Sequence, residues 1–347
     1  MKHNPPSALS PDPKLRRQIE QAVRAESHMC WTCRSCANEC PVYLATSRLQ
    51  PIKVVWMANL GLLDELLFDP EIWYCQQCNR CNQICPMKVR PADIITYIRN
   101  EVVRRKLVSY DTVRRHHELY GRFQRARWHM LYRCFRGEPS LFSKTQWYQW
   151  LNTPVPSPSE KVLFKSGSSD SYSFKSLLRQ FSFMACFTCG ECSSACPIFY
   201  ERSVFEPQWI FRMVNLGLTE ELMQSPAIWL CIGCQRCTNA CSQLVKGHLI
   251  IERLKQLAVS EGFVAKKFLI AWKEYQKNLY SQLLDEINLL FGFWLLCFPY
   301  IFIVQCKHFQ TLEGYRKIAV SYCQLKFWVG CQFCQIKYRQ IIPFPII

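Results

Sequence analysis

Apolar side chains recur along this chain at helical spacing, and no convincing run of alternating apolar and polar positions interrupts them. Between residues 41 and 74 the apolar positions Ile52, Val55, Trp56, Leu60, Leu63, Leu66 and Leu67 follow a period closer to 3.6 than to 2, which predicts a helical insert. Pro51 suits a first helical turn, and Asp69 with Pro70 ahead of Ile72 and Trp73 predicts a stop followed by a second short helix. Ile94, Ile95, Ile98 and Val102 predict a further helix over residues 92–105, and residues 249–257 repeat that pattern. The expected class is all-α.

The pattern occurs twice. Pro51, Met57, Gly61, Trp73 and Arg80 recur 156 positions later as Pro207, Met213, Gly217, Trp229 and Arg236, so a duplicated module is the simplest reading. At 347 residues the chain has room for two such domains. The expected organisation is an extension over 1–26, a first domain over 27–135, a linker rich in Pro, Ser and Gly over 136–182, a second domain over 183–291 and an unmatched tail over 292–347.

The duplication carries sixteen of the 22 cysteines. The first set is Cys30, Cys33, Cys36 and Cys40, then Cys75, Cys78, Cys81 and Cys85; the second is Cys186, Cys189, Cys192 and Cys196, then Cys231, Cys234, Cys237 and Cys241. Three thiolates at i, i+3 and i+6 can close around three corners of a cubic [4Fe-4S] cluster, and a fourth, ahead of a proline, ligates the other cluster of a pair. Applied here, that rule predicts four [4Fe-4S] clusters. Their ligands would be Cys30, Cys33, Cys36 with Cys85; Cys75, Cys78, Cys81 with Cys40; Cys186, Cys189, Cys192 with Cys241; and Cys231, Cys234, Cys237 with Cys196. Pro41, Pro86 and Pro197 follow the fourth cysteine of their motifs, whereas Ser242 follows Cys241. Zinc is a poorer match, because it favours two C-x2-C pairs and leaves one thiol of each triple badly used. A series of adjacent clusters also suits electron transfer better than a structural staple.

The other chemistry is sparse. Cys331 and Cys334 form one isolated C-x2-C, and Cys134, Cys297, Cys306 and Cys323 are expected to be buried packing residues. Trp73 and Trp229, each two residues before a cluster cysteine, fit core packing at least as well as a shield for a cluster. His116 and His117 are expected in solvent. None of the 12 glycines makes a G-x-G-x-x-G or a phosphate loop, so no nucleotide, flavin or substrate site is expected in this chain.

The formal charge of +17 first suggests nucleic acid, but four clusters at roughly −2 each would reduce it to about +9, so no nucleic-acid partner is expected. The densest basic stretch, from Arg99 to Arg136, reads as a solvated helical face. The opening residues are polar and proline-rich, unlike a signal peptide, and so many thiols suit a reducing cytoplasm. Residues 289–305, bounded by Leu289 and Gln305, carry no charge but include Pro299. They are expected to form a buried or partner-packed helix, with a membrane segment or a stretch read from a shifted frame as the alternatives.

The motifs W-T-C-R-S-C-A-N-E-C-P-V-Y and Y-C-Q-Q-C-N-R-C-N-Q-I-C-P, with their repeats, resemble the C subunit of heterodisulfide reductase and its relatives, a family of helical dicluster ferredoxins. The resemblance implies two tandem helical ferredoxin-like domains in an electron-transfer subunit. Its expected partners are a flavin- or quinone-linked subunit and a catalytic subunit acting on disulfides or related sulfur compounds. A quinone-linked subunit at the cytoplasmic face of a membrane is the alternative expectation.

Overall fold

A computed structural model describes residues 11–138, 142–155, 183–198 and 205–305, with side chains described as far as residue 292. Most of the expected linker and tail, including Cys297, Cys306, Cys323, Cys331 and Cys334, lies outside these side chains. Among the described residues the chain is helical and has no strand.

An amino-terminal helix, Pro13–Val23 (α1), precedes the first repeat. The repeat then runs through Pro51–Asn59 (α2), Leu63–Phe68 (α3), a tight turn at Pro70–Tyr74, Pro91–Arg104 (α4) and Tyr110–Phe135 (α5). After a short helix at Lys144–Asn152 (α6), the second repeat follows the same order. It contains Pro207–Asn215 (α7), Thr219–Met223 (α8), a turn at Pro226–Leu230, Gly247–Ser260 (α9) and Lys266–Gln305 (α10). Proline occupies the first turn of α1, α2, α4 and α7, where its missing N–H costs nothing and its fixed φ is already helical.

The insert expected as a helix is two helices joined at Gly61. That residue has a φ of +70°, and a Cβ added there would lie 1.9 Å from the carbonyl oxygen of Asp12. The close approach is productive, because the Asp12 N–H donates to Leu60 O at 2.8 Å while the Asp12 carboxylate caps α1 by accepting from Lys14 N and Leu15 N. The segment expected as an extension therefore docks on the first repeat, and Ile19 is fully buried in its core.

The two repeats exchange their last helices. α5 and α10 occupy the same place in the duplication and pair antiparallel: His116 meets Phe291, Phe123 meets Tyr280 and Phe135 meets Phe268, with ring centroids 5.5, 5.2 and 5.4 Å apart. From this pair each helix reaches the other repeat. Phe291 stacks on Trp73 at 4.4 Å, and Arg127 on α5 donates to Leu230 O at 3.0 Å. One continuous apolar core consequently contains residues of both repeats.

Burial corrects two expectations from sequence. His116 is not in solvent: it is buried, with Nε2 2.9 Å from Trp73 O, and burial, reinforced by the Arg99 charge, pulls its pKa down to about 3. The basic stretch is not a uniform solvated face either. Arg114 and Arg115 do form exposed ion pairs with Asp111 and Glu118, but Arg99 and Arg127 are buried. Cys134 is buried, as expected of a packing cysteine, and Trp73 and Trp229 belong to the core. Among the described residues no helix is long and apolar enough to cross a membrane.

Replacing Gly61 by Ala should displace α1 and cost about 2 kcal/mol, since it adds a left-handed penalty to an overpacked contact. A lowered thermal midpoint, with loss of protection of Ile19 from hydrogen exchange, is the expected result.

Candidate metal centres

Each cysteine triple lies in a loop whose backbone turns left-handed on both sides of the middle cysteine. Thr32 and Arg34 flank Cys33 with φ of +57° and +62°, and Gln77 and Asn79 flank Cys78 with +53° and +64°. In the second repeat Thr188 and Gly190 flank Cys189, and Gly233 and Gln235 flank Cys234, all at positive φ. Most of these positions carry a side chain, for which the left-handed conformation costs roughly 1–2 kcal/mol. Such strain recurring at equivalent positions marks a loop shaped for a ligand. The third cysteine of each triple enters a short helix, at Ser35–Asn38, Arg80–Ile84, Glu191–Ser194 and Arg236–Asn239. Backbone amides turn toward sulfur, as where Gln77 N donates to Cys75 Sγ at 3.3 Å and Gly233 N to Cys231 Sγ at 3.4 Å.

The sixteen cysteines gather around four cavities. Cys30, Cys33, Cys36 and Cys85 line one, and Cys40, Cys75, Cys78 and Cys81 another. Cys186, Cys189, Cys192 and Cys241, joined by Cys237, line a third. Cys196, Cys231, Cys234 and Cys237 line the fourth. In each repeat the fourth cysteine of one motif thus meets the triple of the other. The turn after Cys241 keeps its shape without proline: Leu244 N donates to Cys241 O as Lys88 N does to Cys85 O, and Leu244 and Lys88 share a left-handed φ.

The cavities differ in depth. Cys33 and Cys189 are exposed, whereas Cys40, Cys75, Cys78, Cys81, Cys234 and Cys237 are buried. We refer to the sets built on Cys30 and Cys186 as outer quartets and to those built on Cys75 and Cys231 as inner ones. Burial, with neighbouring cysteines adding to it, pushes the Cys40, Cys78 and Cys237 thiols up to about 12 and Cys81 well above the ordinary value. Cys36 and Cys192 rise to about 11 for the same reasons. Exposed Cys33 moves the other way, because the Ser35 hydroxyl hydrogen-bonds its sulfur at 3.3 Å. Thiolates in the inner quartets therefore need compensating positive charge.

These donors fit a polynuclear group: a cubane takes one thiolate at each of its four irons, and each cavity is lined by a full cysteine quartet.

The inner quartets have a further feature that reading the sequence missed. Arg99 on α4 is buried; its Nε donates to Ile72 O at 2.9 Å and its Nη2 to Cys75 O at 2.7 Å. Its guanidinium lies 5.2 Å from the Trp73 ring centroid. Lys255, 156 positions later, donates to Cys231 O at 2.9 Å and lies 5.7 Å from the Trp229 ring. A cation thus stands behind the first cysteine of each inner quartet. The available signal was a charge recurring at the repeat offset on an otherwise apolar helix face, beside Ile95, Ile98 and Val102.

Residues 26–89 and 182–245 each match the 4Fe-4S dicluster domain, and two dicluster domains imply four [4Fe-4S] clusters. The chain is similar to the C subunit of the H(2):CoB-CoM heterodisulfide,ferredoxin reductase of Methanothermobacter thermautotrophicus, with 32% identity over 96 residues, 27% of this chain and 50% of that one. It is also similar to a protein of Archaeoglobus profundus that is itself like the C subunit of heterodisulfide reductase, 36% identical over 90 residues, 25% of this chain and 48% of the relative. The iron-sulfur C subunit of the CoB--CoM heterodisulfide reductase of Methanopyrus kandleri is 33% identical over 85 residues, 24% of this chain and 44% of that one. The chain spans about half the length, or less, of these relatives.

Arg99→Met should leave the Ile72 and Cys75 carbonyls without donors and cost about 2–4 kcal/mol. Arg99→Lys should cost less, because lysine fills the equivalent place in the second repeat. Thermal unfolding of the two variants beside the parent checks the order.

Proposed function

We propose that this chain is an iron-sulfur electron-transfer subunit of a larger oxidoreductase, with two dicluster domains at 27–135 and 183–291 and no substrate site of its own. The observation that carries the reading is the division of sixteen cysteines among four cavities, one quartet to each. Cys30, Cys33, Cys36 and Cys85 hold one cluster, and Cys75, Cys78, Cys81 and Cys40 the second. Cys186, Cys189, Cys192 and Cys241 hold the third, and Cys231, Cys234, Cys237 and Cys196 the fourth. Bound [4Fe-4S] clusters would supply one-electron transfer at potentials set by charge, hydrogen bonding and exposure.

The protein's residues supply the rest. The left-handed loops direct amides at sulfur, Arg99 and Lys255 set positive charge behind the inner quartets, and the apolar core keeps water from them. Exposed Cys33 and Cys189 place the outer quartets where partner proteins can approach. Its partners are of two kinds, a flavin- or quinone-linked redox protein and a catalytic protein working on disulfides or related sulfur compounds; similarity to the C subunits of heterodisulfide reductases supports the second. Thiols in such number suit a reducing cytoplasmic compartment.

Anaerobically prepared chain should contain about sixteen irons and as many acid-labile sulfides, and give [4Fe-4S] paramagnetic resonance signals on reduction. Zinc in place of iron, or turnover of a disulfide by the isolated chain, would remove the proposal. Cys85→Ala should abolish the same resonance that Cys33→Ala abolishes and leave the one lost in Cys78→Ala. Loss of the Cys78-dependent resonance instead would show that the ligands do not cross.

A further inference from the structure

The two inner quartets face each other across a near-reciprocal pair of arginines. Arg80 lies between Cys78 and Cys81, and its Nη1 donates to Ile232 O, between Cys231 and Cys234, at 2.9 Å. Arg236 holds the equivalent place in the second repeat, between Cys234 and Cys237, and its Nη1 donates to Gln77 O, between Cys75 and Cys78, at 3.2 Å. Each arginine thus springs from one inner loop and ends on the backbone of the other. Glu39 pairs with Arg80 beside Cys40 and holds its second guanidinium nitrogen. Tyr280 of the second repeat closes the same seam by donating to Gln76 Oε1 at 3.4 Å.

We propose that Arg80 and Arg236 form a clamp joining the inner quartets of the two repeats into one redox path. Its order is outer, inner, inner, outer, with the exposed Cys33 and Cys189 loops at its ends. This rests on the proposed cluster function and adds its connectivity: the repeats are two halves of one conductor and not two independent carriers. Clusters bound on the two sides would exchange a single electron, one being oxidised and the other reduced by one unit, with no bond made or broken and no proton required; the arginines' part is to hold the two loops together. The two guanidiniums lie between the quartets, so their charge favours the reduced state on both sides and screens the repulsion between them.

The test uses full-length, anaerobically reconstituted chain reduced with dithionite. Substituting Cys33 and Cys36, and Cys189 and Cys192, by Ser removes ligands from the outer quartets and leaves the clamp intact. About eight irons should remain, giving a resonance split by spin-spin interaction between the two inner clusters. Eight irons giving two independent spectra would overturn the clamp while leaving the four-cluster function standing; absence of iron from the parent chain would overturn both. Arg80→Gln, which keeps every cysteine, gives a second measurement that does not need the quadruple variant. With about sixteen irons retained, the midpoint potentials of two clusters, one assigned to each repeat by its cysteine variants, should shift downward. A shift confined to the first repeat, or no shift, overturns the proposal.

Discussion

Gathering thiols in groups of four, with the inner groups largely buried, is the constraint from which the rest of this structure follows. A buried thiolate is costly without a counter-charge, and the inner quartets place several within reach of one another, so burial and mutual repulsion together drive their pKa values upward. Left-handed backbone at non-glycine positions such as Thr32, Gln77 and Gln235 adds strain to the same loops. Metal ligation would oppose both penalties at once, because it neutralises the sulfurs and over-determines the loop geometry. Folding and cluster binding would then be parts of one equilibrium.

The helical framework answers the same constraint from outside. A segment of eleven residues carrying four cysteines has little apolar surface of its own, so the core must be assembled from the insert helices and from the last helix of each repeat. That last helix serves the neighbouring repeat as well as its own: Phe291 packs on Trp73, and Arg127 caps the Leu230 carbonyl one residue before Cys231. Aromatic pairs of this kind add about 0.5–1.5 kcal/mol each beyond their burial. Exchanging the helices couples the two repeats mechanically, as the arginine pair does across the inner loops.

Positive charge has several roles in this fold. Arg114 and Arg115 belong to exposed ion pairs, which contribute little to stability. Arg99, Arg80, Arg236 and Lys255 lie beside sulfur and donate to backbone carbonyls of the cysteine loops. Part of the basic excess is thus spent on the cysteine loops and not on the outer surface.

Much of the local design was legible in the amino-acid sequence. Cysteine spacing within each motif spans ten positions, helical periodicity fewer than twenty, and a duplication announces itself by a constant offset, so the helical class, the repeat and the dicluster character could be read without coordinates. What the sequence could not show was which side of a helix meets which distant partner. Arg99, Arg127 and His116 resemble a solvated basic stretch until the Trp73 turn and the second repeat close over them. The docking of α1 against Gly61, the exchange of α5 and α10, and the meeting of the inner loops each depend on many weak contacts between residues far apart in the chain. Cofactor chemistry was therefore set by local spacing, while the connection between the repeats was decided by tertiary packing, because only the assembled core determines which polar groups lose water and which neighbours replace it.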